Sequence, residues 1–436
     1  MPFDDPQHVS VIIIGGGQAG LSASYCLKER GIHDHIIFEK HRLGHAWRSE
    51  RWDTFSLVTP NHQCRLPGHP YDGDDPEGFM VKDQIVDYIE RYAKKFNPPI
   101  MEGVTVTSVG KQDGYFRVFT NHGEWLADDV ICAIGCFHKP ILPKGAEKIP
   151  AHIKQIHSAD YKRPSQVPPG ETVVVGSGQS GVQIMEELCI DQRKVHLCLG
   201  NAPRSPRRYR GKDAVTWLEE RGYYKTTFAE HPDQAKAISG TNHYLTGRDG
   251  GHEIDLRQFA LDGVKLYGFV DEIDAEKFSV RQDIEAKLDS ADRSYNGICK
   301  RIDEYIAENG IDAPPGNHYK PVWKPEVEPA ELNFAEQNIT SIIWCIGFVP
   351  DFKFIKLPVF NMRGFPETER GVTAIPGLYF LGLPWQNTWG SARFSGIAED
   401  AAYIADHITA MAKDAVVQSS WDVPSQAVAE TSCPVF

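Results

Sequence analysis

An α/β fold built from two parallel-sheet units, one inserted into the other, follows from three observations on this 436-residue chain. "VSVIIIGGGQAGLSASYCL" (9–27) climbs through β-branched residues into glycines and then falls into an apolar-periodic helix. "ETVVVGSGQSGVQIMEEL" (171–188) repeats that pattern, and "SIIWCIGF" with "GLYFLGL" returns as buried strands late in the chain. In both glycine segments a short β-branched run gives way across the loop to apolar residues at helical spacing, as a strand–turn–helix unit requires. A single core stops growing near roughly 250–300 residues, so a chain of this length divides into two domains.

The remaining elements fall into place around these units. "DQIVDYIERYAKKF" (83–96) has helical apolar spacing, while "YFRVFTN" and "EWLADDVICAIG" alternate like antiparallel strands. "KVHLCLG" is the strand after the second glycine helix, "YNGICKRIDEYIAEN" an amphipathic helix, and "SGIAEDAAYIADHITAMAK" the closing helix. The first unit is expected to span 1–165 and 335–413. The second spans 166–334, with an insertion at 203–330, and 414–436 forms a loose tail.

Composition narrows the function. Hydrophobic content of 41% and charge of 24% are ordinary globular values. A formal charge of −13 argues against a sequence-independent grip on nucleic acid or anionic lipid. "MPFDDPQHVS" has no basic n-region, and apolar runs such as "VIII" are strand-sized, so a cytoplasmic protein without membrane spans is expected. The nine cysteines include no C-x-x-C and read as buried free thiols, and no metal centre is expected.

Gly15, Gly17 and Gly20 satisfy G-x-G-x-x-G between a strand and a helix. Such glycines permit a tight turn, a close backbone approach to a pyrophosphate, and helix–strand packing, and the anion rests on the helix N-terminus. Glu39 stands nineteen residues after Gly20, where a carboxylate hydrogen-bonds ribose hydroxyls and repels a 2′-phosphate. The first Rossmann-like loop, with Gln18 and Ala19 inside it and Lys40 and Trp47 beyond, is therefore expected to hold FAD. Gly176, Gly178 and Gly181, with Gln179 and Ser180, form the second loop. No carboxylate follows its next strand; "NAPRSPRRYRGKD" does, placing Arg204, Arg207 and Arg208 where a 2′-phosphate would lie. Guanidinium forks match phosphate oxygens, which points to NADPH.

Two cradles with opposite ribose chemistry, and the motifs between them, resemble the class B single-component flavin-dependent monooxygenases. The likeness extends to bacterial flavoproteins labelled as potassium-transport flavoproteins, and covers roughly residues 8–413. "IHSADYKRP" supplies His157, Tyr161 and Lys162 of the family's F-x-G-x-x-x-H-x-x-x-[YF]-[KR] signature, with Ala151 and Ile153 in place of Phe and Gly. "VICAIGCFHKP" and "SIIWCIGFVPDF" resemble the linker strands written A-T-G, with Ile134 and Ile346 replacing Thr. "GLYFLGLPW" resembles the flavin-contacting strand, Leu383 taking the position of an Asp found in related reductases.

The resemblance implies that NADPH reduces FAD, that O2 adds to give a C4a-(hydro)peroxyflavin, and that a small organic substrate is oxygenated. Oxygenation at nitrogen or sulfur, and Baeyer–Villiger or decarboxylative attack on a carbonyl, both stay open. It also implies that Asn61, in "VTPN", steadies the oxygen adduct; as a residue after Pro, Asn61 equally suits a turn. Trp47, Trp52 and Phe55 either pack near the flavin ring or build core. Residues 203–330 either help close the pocket or form a homo-oligomer contact. Alternatives of another kind are an FAD/NADPH-dependent reductase or oxidase, and a nucleotide-sensing flavoprotein without turnover.

Overall fold

The computed structural model describes residues 6–421. Six strands of the first sheet come from the N-terminal third: β1 (Gln7–Ile14), β2 (His35–Glu39), β3 (Ile100–Glu102), β4 (Val106–Gln112), β5 (Tyr115–Thr120) and β6 (Gly123–Cys132). Their order is β3-β2-β1-β6-β5-β4. β1 is flanked in parallel by β2 and β6, with Ile14 opposite both Phe38 and Cys132. β4–β6 form the antiparallel meander that the alternating sequence predicts. Helix α1 (Gln18–Glu29) follows β1, and α2 (Lys82–Phe96) precedes β3.

The second sheet is wholly parallel. It contains β7 (Lys154–His157), β8 (Glu171–Val175), β9 (Val195–Cys198), β10 (Lys265–Tyr267) and β11 (Ile339–Trp344), in the order β7-β11-β8-β9-β10. Helix α3 (Gln179–Ile190) follows β8, and α4 (Ile284–Glu308) follows a small antiparallel hairpin of Val270–Ile273 and Lys277–Val280. The chain then returns to the first sheet through β12 (Leu378–Phe380), parallel to β6, and closes with α5 (Ile397–Trp421).

Both sheets are covered on both faces, which is why their strands read as continuous apolar runs. Ile13 packs with Leu21, Ile37 and Ile404 on one face of the first sheet, and Ile12 with Phe38 and Phe116 on the other. Val174 joins Val182, Leu197 and Ile343 beneath α3, while Val173, Ile342 and Trp344 face Phe278.

The expected boundaries shift. The expected first unit (1–165 and 335–413) takes in β7 and β11, yet both lie in the second sheet. β11 even separates β7 from β8. A strand buried on both faces suits either sheet, so local sequence does not choose. The chain crosses between units at two linkers, where Lys139–Pro140 pairs antiparallel with Phe348–Val349. The segment 203–330 is not a pure insertion, because it supplies the edge strand β10. Helix α5 runs to Trp421, so 414–421 is helix rather than tail, and 422–436 lie outside the described residues. Among the described residues, eight cysteines are free and five of them are buried.

Candidate active site

The first cradle is built by steric necessity. Gly15 has φ of +105°, and a Cβ there would meet the Ala133 carbonyl oxygen at 2.8 Å. A Cβ on Gly20 would lie 1.9 Å from the Gly15 oxygen, so only glycine lets α1 start this close to β1. Gly17 differs: a Cβ there meets nothing within 4 Å. Gly17 is also the N-cap of α1, and no side chain caps it. Free space above uncapped helix N–H groups is what a pyrophosphate requires. The Glu39 carboxylate accepts from Gly16 N at 2.7 Å and from His41 N at 2.8 Å. A carboxylate has about four lone-pair sites, so it keeps capacity for ribose hydroxyls. Lys40 is exposed, and Ala19 is buried against Gly382.

The second cradle repeats this construction. Gly176 has φ of +103°, its Cβ would lie 2.5 Å from the Cys345 oxygen, and a Cβ on Gly181 would lie 1.8 Å from the Gly176 oxygen. Gly178 is the uncapped N-cap of α3, with Thr241 Cγ2 as the nearest atom to its virtual Cβ, at 3.7 Å. The Gln179 side chain exchanges hydrogen bonds with the Leu245 backbone, and Ser180 is half-buried in the first turn. Register explains the missing acid: Ile14 faces Phe38 in the first unit and Val175 faces Cys198 in the second, so the counterpart of Glu39 is Leu199. Ser177 Oγ instead accepts from Gly200 N at 3.0 Å.

The three arginines do not converge on this cradle. Arg204 is buried, 3.2 Å from Asp292 and 3.5 Å from both Glu253 and Asp255, with its guanidinium between the rings of Tyr295 and Tyr319. Arg207 is 1% exposed and binds Asp213 at 2.5 Å and the Val58 carbonyl at 2.7 Å, over the Phe79 ring. Their charges are spent on carboxylates and on joining 203–213 to the loop around Val58, which corrects their expected phosphate role. Arg208 alone is exposed, donating to the Gly250 carbonyl at 3.3 Å. Sequence reasoning missed Lys287, from the distant helix α4. It lines a small recess with Ser177, Leu199 and Gly200, 2.6 Å from Asn201 Oδ1 and 3.3 Å from Asp283. No local signal marks it, because α4 reaches the β9 tip only through tertiary packing.

A chain of contacts joins the two cradles. Trp47 Nε1 donates to Gln18 Oε1 at 3.2 Å, and its ring stacks on Phe394 at 5.4 Å between centroids. Next to Phe394, Arg393 Nη2 donates to Asn242 Oδ1 at 2.9 Å, and Asn242 adjoins the Thr241 that covers Gly178. Tyr224 packs on Trp389 at 4.6 Å, and Phe228 N donates to Asn387 O at 2.6 Å, so the 223–228 segment docks on the first unit. Burial pulls the Arg393 guanidinium down to about 10 and pushes the neighbouring Cys136 thiol up to about 11, which keeps that thiol protonated at neutral pH.

Asn61 is 3% exposed and hydrogen-bonded through both its amide nitrogen and its amide oxygen. Its Nδ2 donates to Asp75 O at 2.9 Å and its Oδ1 accepts from Met80 N at 2.7 Å. The amide pins the 75–80 segment, so the turn reading fits and the oxygen-steadying role does not. Trp52 is buried in the second core, against the ring edge of Phe55 at 5.0 Å. His157 Nε2 lies 3.1 Å from the Gly347 carbonyl while Nδ1 accepts from Ala159 N, which ties β7 to the second linker.

Two sheets, each with a parallel strand ending in a glycine loop that opens a helix, fit a flavin-dependent oxidoreductase of the flavin monooxygenase-like class. The chain belongs to the pyridine nucleotide-disulphide oxidoreductase family, whose model matches residues 12–251. It is 33% identical over 408 residues to the "Uncharacterized oxidoreductase CzcO-like" of Geobacillus kaustophilus, covering 92% of this chain and 99% of that one. It is 30% identical over 187 residues to indole-3-pyruvate monooxygenase YUCCA6 of Arabidopsis thaliana, 41% of this chain and 44% of the relative. The flavin-containing monooxygenase of Stenotrophomonas maltophilia shares the fold, with a TM-score of 0.64 at 20% identity over 93% of this chain and 99% of its own. No helix among the described residues is long and apolar enough to cross a membrane.

Proposed function

We propose that this protein is a cytoplasmic NADPH-dependent monooxygenase that holds FAD on the Gly15–Gly20 loop and NADPH on the Gly176–Gly181 loop, and oxygenates a small organic molecule with O2. The observation that carries this reading is the asymmetry between matched positions, Glu39 beside one cradle and Leu199 beside the other. A carboxylate disfavours a 2′-phosphate, whereas an apolar residue next to a lysine accommodates one.

A bound flavin would accept electrons from the nicotinamide and activate O2, chemistry that belongs to the cofactor. The chain's own work is positional. Gly17 and Gly178 leave the helix N-termini open to phosphate, and Glu39 would accept from ribose. Lys287 and Asn201 would hold the adenosine ribose end of the second nucleotide. Trp47, Phe394, Trp389 and Tyr224, stacked in pairs where the two units meet, would help keep water from a bound flavin.

The test measures NADPH and NADH oxidation with O2 uptake and H2O2 release. NADPH is expected to be preferred at least roughly tenfold, the worth of one charge-assisted phosphate contact. Lys287→Met should erase that preference, and Arg208→Ala should leave it. If Arg208→Ala erases it and Lys287→Met does not, Arg208 reads the phosphate. If neither coenzyme is oxidised by flavin-loaded protein, the monooxygenase reading fails.

A further inference from the structure

The short helix Ala214–Glu220 is fixed within the second unit before it meets the first. Asp213 caps it by accepting from Val215 N at 2.8 Å, and also takes the buried Arg207. Trp217, 1% exposed, donates through Nε1 to the Tyr209 carbonyl at 2.7 Å. Glu219 is thereby held against the first unit, where a single turn supplies three donors to its carboxylate. Arg65 Nη1 lies 2.6 Å from Oε1, Gln63 Nε2 2.6 Å from Oε2, and His62 Nε2 3.2 Å from Oε2. The same helix also reaches Glu77: Thr216 Oγ1 lies 3.5 Å from Glu77 Oε2, and Glu77 Oε1 lies 3.3 Å from His62 Nδ1. Asn61 ties this turn to Asp75 and Met80, so the turn and the 75–80 segment are gripped together.

His62 thus sits between two carboxylates, Glu77 and Glu219, with the Pro76 carbonyl 3.2 Å from its Nδ1 and Arg65 on the far oxygen of Glu219. The hydrogen bond to Glu219 raises the imidazole above its ordinary 6.5, against the burial that lowers it. Glu219 is in turn held down to about 2, chiefly by His62 and then by Arg65 and Gln63. A raised imidazole contributes fully below pH 6.5 and loses its contribution as pH climbs through its folded value, while Glu219 stays ionised throughout. Two other ties between the units carry no group that titrates near neutrality: Arg207 donates to the Val58 carbonyl at 2.7 Å, and Phe228 N to Asn387 O at 2.6 Å.

We propose that Glu219 is a positioning residue that docks the second unit on the first, closing a clasp with His62, Gln63 and Arg65 that is tightest while the imidazole carries a proton and slackens as pH rises. The inference rests on the reading that electrons pass between nucleotides held by the two units. Units joined by linkers move relative to one another unless their interface restrains them, so the clasp sets how long the two cradles stay in register.

Hydrogen exchange of the full chain, followed on peptides covering 58–66 and 214–221, reads the clasp without any coenzyme. Protection, corrected for the intrinsic exchange rate, should fall about three- to tenfold between about pH 6 and about pH 8.5, the worth of one partly shielded charged pair. His62→Gln should remove that slope, and Glu219→Gln should bring protection at the lower pH to or below the native level at the higher one. Protection without a slope in the native protein overturns the proposal, and that comparison needs no variant to fold. A slope that persists in His62→Gln overturns it too. Anaerobic reduction of the flavin-loaded protein by saturating NADPH reads the consequence. Glu219→Gln should slow it about three- to tenfold with NADPH affinity unchanged, and an equal rate overturns the positioning role. A flavin that neither NADPH nor NADH reduces, in a protein whose clasp still responds to pH, would sink the monooxygenase reading and support the docking role.

Discussion

A methyl group added at Gly17 separates the architecture of the first cradle from its ligand. Gly17 has φ −80° and ψ −171°, a conformation any residue adopts, and its Cβ would meet no atom within 4 Å. Gly17→Ala should therefore fold normally and lose no more than about 1 kcal/mol, because alanine is a poorer N-cap than glycine. The same methyl projects into the space reserved for a pyrophosphate. Losing one charge-assisted N–H contact costs about 1.5–3 kcal/mol, so the FAD dissociation constant should rise about ten- to hundredfold. Gly20→Ala is the opposite case. Its Cβ would lie 1.9 Å from the Gly15 oxygen, where ordinary contact begins at 3.4 Å, so the loop must shift by 3.4 − 1.9 = 1.5 Å. That crowding should cost about 1–3 kcal/mol of stability. Fluorescence titration of the stripped proteins with FAD, alongside thermal unfolding, measures both effects. The reasoning fails if Gly17→Ala binds FAD as tightly as the native protein, or if it unfolds as readily as Gly20→Ala.

Two further outcomes depend on buried polar groups. Arg207→Met should destabilise the protein by about 3 kcal/mol, because it strands Asp213 and frees the Val58 carbonyl; urea unfolding should show this, and an unchanged midpoint would contradict the buried-tie reading. His35 is 4% exposed, 2.8 Å from Ser24 Oγ and 3.0 Å from the Ile32 carbonyl, and burial holds it down to about 4. The unfolded chain then takes up a proton below the ordinary value of 6.5 that the folded protein refuses until about pH 4. Stability should fall as pH drops across that window, by at most about 3 kcal/mol, and His35→Gln should flatten the slope between pH 7 and 5.

Both glycine cradles were legible because local geometry leaves little choice: a strand entering a helix through so tight a loop needs glycines at Gly15 and Gly20, and again at Gly176 and Gly181. The acid at Glu39 was legible for the same reason, since register fixes it to the tip of β2. Asn61 misled because a turn amide and a ligand-facing amide have the same local sequence. Only the Asp75 carbonyl and the Met80 N–H, brought from 14 and 19 residues away, decide between them.

The arginines show the division most clearly. A basic run after β9 announces positive charge, but charge is satisfied by whatever approaches in three dimensions. Asp213, Asp255 and Asp292 neutralise Arg204 and Arg207, while a lysine from α4 takes the place beside the recess. The sequence alone determined the two nucleotide loops, the strand–helix periodicity and the absence of an acid at the second ribose. Tertiary structure decided which sheet received β7 and β11, which carboxylates paired with Arg204 and Arg207, and that Arg393 bonds to Asn242. Backbone conformation is set by neighbours along the chain, whereas the partner of a charge or of a doubly buried strand is set by neighbours in space.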